Sequence, residues 1–493
     1  MSLVKKTWGR INLNCNEVIF SKKILLKEGN QYKVYPGYIE ISGNKIIKVE
    51  KLSLESYQES VKKEMESKKI PAHDFGDRLI TPAFINCHTH IAMSFFRALL
   101  YNQIKSQNLI EDTFFKAESQ LTESDVRAFA RLGAYENILN GNGLIWDHYY
   151  YGKEVANACV DTGLTAVIAP TLQDVSGPGT HIQTQMLQET YDIHADAVLQ
   201  KNCVFAALGP HATDTVSEKL WKEIKQISDK LNIPIHCHLA QSFDEVTRVF
   251  NKYKKTPVQF LHSLGITKNS ASAMLVHGIF INPNDHHLLS DKHCALVFCP
   301  FSQMIFQFPS NIIEWELNNL KWFIATDCVA SNDSMNLQKE LKLIAGFPSF
   351  LNTFEKEHYI IKKYNNKTKS EIQAKKNLVK KLQIKFSNNT FLLNKILDGP
   401  GSFHKSFKAG LIKPNYLANL IIWDLNHPSM WPGENVTRCL VMGDTTGAIY
   451  NMCIGGKWLG KNGAFCQSII ESKNYKESLL EANSRLKILL KKL

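Results

Sequence analysis

Five short apolar runs in this chain each stop at a histidine or an aspartate, and that repeated ending constrains the fold more than any other feature. Residues 79–85 lead through Asn86 and Cys87 to His88 and His90. Residues 204–210 end in His211, 233–235 run through His236 to His238, 273–276 end in His277, and 322–326 end in Asp327. Runs of this length and composition read as buried strands. Side chains alternate along a strand, so His88 and His90 project from one face, close enough to share a divalent cation. Helix-like stretches such as Ser217 to Leu231 separate the runs, and strand followed by helix implies a parallel sheet with crossover helices. Ligands gathered at the carboxyl ends of several strands are expected of an α/β fold, specifically a (β/α)8 TIM-like barrel. Eight strand ends fall near His90, Asp147, Leu172, His211, His238, His277, Gln303 and Asp327.

Both chain ends carry β patterning outside this series. Residues 16–20 and 32–49 alternate in hydrophobicity, with Gly43-Asn44 at a hairpin turn, and residues 418–424 and 451–459 read as further strands. Neither end closes a sheet alone, so a small composite β-sandwich domain drawing on both is expected. The division is residues 1–78 and 405–470 for the composite domain, 79–404 for the barrel and 471–493 for a terminal helix.

Composition narrows the function. The chain has 493 residues, 44% of them hydrophobic, enough for one large core and a satellite. It has no 18-residue apolar run, and basic residues near Met1 precede no apolar stretch of the secretory kind, so a cytoplasmic protein without membrane attachment is expected. Eleven scattered cysteines read as reduced thiols. The net charge of +12 draws heavily on lysines in 356–385. Without interleaved arginines or an aromatic platform these read as a solvated helical face, and no nucleic-acid partner is expected.

In motif order, the segments around His88-Thr89-His90, Gly209-Pro210-His211, His236-Cys237-His238-Leu239-Ala240, Val276-His277-Gly278, Thr326-Asp327-Cys328 and His427-Pro428-Ser429-Met430-Trp431-Pro432 resemble the amidohydrolase superfamily over about residues 16–465. The likeness is to its branch of S-adenosylhomocysteine and methylthioadenosine deaminases, guanine and cytosine deaminases, and triazine chlorohydrolases. The resemblance implies that His88, His90, His238 and Asp327 bind one divalent metal, zinc or alternatively iron. It also implies that His277 holds the attacking water, that Asp327 takes its proton, and that His211 contacts a small-molecule substrate. A homodimer is a further expectation. His236 is read as a packed core or supporting histidine.

Two positions depart from the deaminase pattern. The branch's His-Leu-Ala-Glu run is here His238-Leu239-Ala240-Gln241, and an amide hydrogen-bonds but cannot shuttle a proton. Asp244 and Glu245 lie nearby as weak substitutes. The nucleoside deaminases also carry a Glu and a Trp in the loop after the first strand. Here the Trp is missing, Glu111 is the candidate acid, and Phe114 or Phe115 the candidate stacking ring. Gln303 is a further candidate substrate contact, and His148 an extra imidazole near the rim. The expected function is a metal-dependent hydrolase, in the first instance an aminohydrolase of a purine-like or related N-heterocycle. The alternatives are a chlorohydrolase or amidohydrolase acting on another leaving group, and a metal-binding homologue that has lost turnover.

Overall fold

The computed structural model describes residues 16–67, 70–99, 110–306, 312–346, 377 and 380–493. Most of the lysine-rich segment 356–385, with its expected solvated face, lies outside the described residues. Cys15 and the loop residues before Ile110 are outside them as well. In chain order the strands are β1 (Glu17–Glu28), β2 (Gln31–Ser42), β3 (Lys45–Lys51), β4 (Ala72–Asp74), β5 (Leu79–Pro82), β6 (Phe84–Thr89), β7 (Asn142–Tyr149), β8 (Thr165–Leu172), β9 (Val204–Ala206), β10 (Gly209–Pro210), β11 (Ile235–Leu239), β12 (Ala273–His277), β13 (Cys294–Phe298), β14 (Trp322–Ile324), β15 (Leu420–Trp423), β16 (Ile449–Ile454) and β17 (Lys457–Trp458).

Strands β6 to β14 are all parallel. They fall into two sheets, one holding β6 to β10 and the other running β11-β12-β13-β14. Parallel bridges from Leu208 to Ile235 and from Thr89 to Asp327 join these sheets at both margins, giving the TIM-like α/β arrangement. Crossover helices include Glu123–Leu139, Gly152–Thr162 and Glu218–Leu231. The last forms for visible reasons. Ser217 caps its first turn, Asn232 ends it in the left-handed region, and Leu220, Trp221, Ile224 and Ile227 bury one stripe. Alternation along the strands separates two cores. Leu144, Trp146, Val167, Met274, Val276 and Val297 fill the space inside the ring, whereas their neighbours Ile145, Ile168, Leu275 and Leu296 pack outward against the helices.

The chain ends build one eight-stranded sheet in the order β17-β16-β15-β5-β1-β2-β3, with β4 paired to β1. Gly43 takes φ +56° in the turn joining β2 to β3, a conformation that glycine adopts without steric cost. The run expected to be a single strand from Leu79 to His90 divides in two. Leu79–Pro82 pairs with β1 and β15 in the terminal sheet, and Phe84–Thr89 begins the parallel series. Pro82 lacks the N–H that a continued ladder would need. Buried Asn419 ties the two sheets together, donating to the Gly143 carbonyl and accepting from the Gly455 N–H. Helix Lys473–Leu489, the expected terminal helix, lies against Glu123–Leu139 through the Arg485–Asp125 and Arg131–Glu481 ion pairs. The ten described cysteines are all free thiols, and no described helix is long and apolar enough to cross a membrane.

Candidate active site

His88, His90, His238, His277 and Asp327 converge at the carboxyl ends of β6, β11, β12 and β14. Ligand atoms of His88, His238 and His277 lie within 4.8 Å of one another, as do those of His88, His90 and Asp327. Four of the five side chains are aimed by a partner behind them. His90 uses Nδ1 to donate to the His148 carbonyl, and His238 uses Nδ1 to donate to the His211 carbonyl at 2.9 Å, so the Nε2 lone pairs of both face inward. His236 Nε2 lies 3.0 Å from His88 Nδ1, which places the expected packed histidine directly behind a candidate ligand. Its position follows from period two: His236 and His238 share one face, the inner one. Asp327 Oδ2 accepts from Ser302 at 2.6 Å and from Ser331 at 3.0 Å. Its Oδ1 faces His88 Nε2 and His90 Nε2, 3.5 Å from each.

Two of these ligands break strand alternation. On β12, Met274 and Val276 face inward, which would send His277 outward, but its φ of +74° turns the side chain back toward the centre. On β6 the register with β7 shifts between Asn86 and Thr89, so that inward Cys87 is followed by the ligand His88. Asp327, at φ +63°, is a second left-handed residue in the cage. Such conformations cost about 1–3 kcal/mol each and persist where surrounding structure over-determines them.

The donor set fits a divalent cation. Burial holds the His88 and His238 imidazoles well below their ordinary pKa, and His277 is pushed down to about 4 by the same cause. All three are therefore neutral and ligand-competent at pH 7. Buried His88 Nε2 and His277 Nε2 have no hydrogen-bond partner among the described residues. An orphaned buried polar atom costs about 1–3 kcal/mol, and a cation here together with its bound water would satisfy both.

The cage opens on a pocket enclosing about 520 Å³, part of it open to solvent. His211, Gln241, Phe114, Phe115, Glu118 and His148 all line it. His211 is braced by Thr215 at 3.0 Å, with the Phe115 ring edge-on at 5.6 Å. Gln241 sits at the position singled out in the sequence. Its N–H and that of Ala240 both donate to the buried Glu245 carboxylate, at 2.8 and 3.0 Å. Glu245 thus holds the turn beneath Gln241, while Asp244 is exposed. Glu111 and Gln303, the other candidate contacts, are absent from the lining. Glu111 pairs with Arg248. Gln303 is buried on helix Pro300–Ile305, where the preceding residue, Ser302, is the one that reaches Asp327. Besides Asp327, the acid that lines the pocket is Glu118, seven residues beyond Glu111 in a stretch that the sequence left unassigned. Burial pushes its carboxyl up to about 8.

Neutral imidazoles and a carboxylate around one point, at the carboxyl ends of parallel strands, define a metal-dependent hydrolase. The chain belongs to the amidohydrolase family, whose model matches residues 79–360. It is 27% identical over 398 residues to the 5'-deoxyadenosine deaminase of Methanococcus vannielii, covering 80% of this chain and 86% of that protein. It is 25% identical over 387 residues to the 5-methylthioadenosine/S-adenosylhomocysteine deaminase of Thermococcus kodakarensis, covering 78% and 83% respectively. Among solved structures, an adenosine deaminase from Xanthomonas campestris with bound zinc superposes with a TM-score of 0.75 at 16% identity, over 96% of this chain and 99% of that one. Atrazine chlorohydrolase from Arthrobacter aurescens complexed with zinc superposes at 0.74, also at 16% identity, over 95% and 100%. At these identities the two structures speak for the shared fold alone.

His238→Ala is expected to strip metal from the purified protein and to lower its melting temperature, read by elemental analysis and thermal denaturation. Full metal occupancy in the variant would contradict the cage as described. Glu118 supplies a second expectation. The folded protein keeps its proton up to about pH 8, whereas the unfolded chain releases it near the ordinary value of about 4.3. The unfolded state therefore binds fewer protons across this window, and stability falls as pH rises through it. Glu118→Gln is expected to melt several degrees higher than the parent at pH 9, with the gap closing toward pH 5.

Proposed function

We propose that the protein is a zinc-dependent aminohydrolase that releases ammonia from an amino-substituted purine, or a related N-heterocycle, carried on a sugar. One observation carries the reading: a cage of neutral histidines and Asp327 opens directly onto a pocket walled by Phe114, Phe115, Glu118 and Gln241. The relatives named as deoxyadenosine and methylthioadenosine deaminases support the substrate class. Imidazole nitrogens with one carboxylate suit zinc, with iron as the alternative.

His88, His90, His238 and Asp327 would hold the metal. When bound, it supplies Lewis acidity and a water with a pKa of roughly 7. Asp327 Oδ2 is committed to Ser302 and Ser331, so Oδ1, which faces the cage, would be the oxygen that contacts the metal and takes up a proton from its water. His277, held neutral by burial, orients that water. Phe114 and Phe115 offer flat apolar faces to the heterocycle. Glu118 meets sugar hydroxyls, the role first assigned to Glu111. Gln241 hydrogen-bonds the ring without transferring a proton. That property favours a second reading, hydrolysis of another leaving group such as an aryl chloride or an amide, and beyond it a homologue impaired in turnover. Around the site, the terminal sheet is read as a β-sandwich, because Ile19 and Ile39 share one apolar cluster with Ile422 and Cys453.

Ammonia release from aminopurines, adenosine derivatives, aminopyrimidines and aminotriazines tests the reading with protein of determined metal content. Release from a purine nucleoside is the expected result, and a metal-replete protein silent across the panel contradicts it. Gln241→Glu is expected to raise that rate more than tenfold, since general acid–base help is worth about 10²- to 10⁴-fold. An unchanged rate would show that proton delivery at this position does not limit turnover.

A further inference from the structure

The inner face of β7 carries a group that neither the cage nor the proposed proton path uses. His148 follows Trp146 at period two, and only 1% of it is exposed. Its Nδ1 lies 3.2 Å from the His236 carbonyl oxygen. A carbonyl only accepts, so Nδ1 carries the ring proton and Nε2 carries a lone pair. Nε2 has no hydrogen-bond partner among the described residues, and the side chain lines the same pocket as Gln241 and His211. Its ring is centred 5.0 Å from that of His238 and 6.1 Å from that of His211, placing it beside the metal cage. The main-chain carbonyl of the same residue anchors His90, and this fixes the backbone from which the ring projects.

We propose that His148 is a specificity-determining residue whose Nε2 accepts a hydrogen bond from an N–H of the substrate heterocycle. The inference rests on the aminohydrolase reading and deepens it. An acceptor at this place favours a substrate with a hydrogen-bearing nitrogen and disfavours one whose nitrogen is fully alkylated. The latter leaves the buried lone pair unmet, and a site built to bond a donor rejects analogues lacking it. Gln241 presents both a donor and an acceptor and does not discriminate in this way. His148 is therefore the more selective of the two.

The test compares 5'-deoxyadenosine with its N6,N6-dimethyl derivative on zinc-loaded parent, His148→Leu and His148→Gln proteins, reading kcat, KM and calorimetric Kd. His148→Leu is expected to weaken binding of the amino compound at least tenfold and to change that of the dimethyl compound less than threefold. His148→Gln, which keeps an acceptor oxygen, is expected to recover part of the preference. Zinc content equal to that of the parent in both variants is also expected, because the carbonyl holding His90 is retained. Equal losses for the two compounds, or loss of zinc from the leucine variant, would overturn the assignment and make His148 a support of the cage. A parent that prefers the amino compound in binding yet releases no ammonia would leave the His148 assignment standing while removing the aminohydrolase reading. A parent that binds neither compound overturns both.

Discussion

Four imidazoles and a carboxylate are forced to share a buried space at the carboxyl ends of the parallel strands, with their lone pairs directed at one another. Left to themselves these groups repel or go unsatisfied, because burial in low dielectric suppresses protonation that would otherwise relieve them. The surrounding structure opposes that tendency from behind. Main-chain carbonyls of His148 and His211 fix two tautomers, His236 backs a third ring, and two serines occupy the far oxygen of Asp327. A divalent cation turns this mutual conflict into coordination. The strained backbone at His277 and Asp327 is tolerable because the same packing holds it.

The pocket beside the cage is arranged on different elements. Glu245, the third residue of helix Phe243–Tyr253, reaches back to the N–H groups of Ala240 and Gln241, and Thr213 donates to the same carboxylate. Gln241 therefore sits on a turn that is fully supported from below. An amide there can hydrogen-bond but carries no transferable proton, while the backbone that presents it is secured by its neighbours.

The parallel series and the cluster of candidate metal ligands were legible because they depend on local signals: apolar runs of strand length, each terminated by a residue with metal affinity. Period two also accounts for His236 and His238 sharing the inner face. His277 was legible as a motif, although its inward direction depends on a left-handed φ that no alternation rule supplies. Glu118 was not legible, because nothing in its local sequence distinguishes a pocket acid from a surface one, and Glu111 in the same stretch is paired with Arg248 instead. Gln303 lies outside the pocket lining because β13 gives way to a helix at Pro300, on which Ser302 is the residue that reaches Asp327. The division at Pro82 was readable in principle from the proline alone. The partner of Leu79–Pro82, however, lies in a part of the chain that local reasoning does not reach.

That long-range pairing imposes an order on assembly. β5 takes β15 as its antiparallel neighbour, and the Trp423 indole donates to Thr81 across 342 residues of sequence. While the polypeptide emerges from the ribosome, β1 to β5 have one edge open, and the barrel must be synthesised before its cover arrives. An unpaired strand edge is a template for intermolecular association. Nascent chains stalled before β15 therefore present an adhesive N-terminal sheet, and the last strands of this protein act as the stopper that makes its first strands safe.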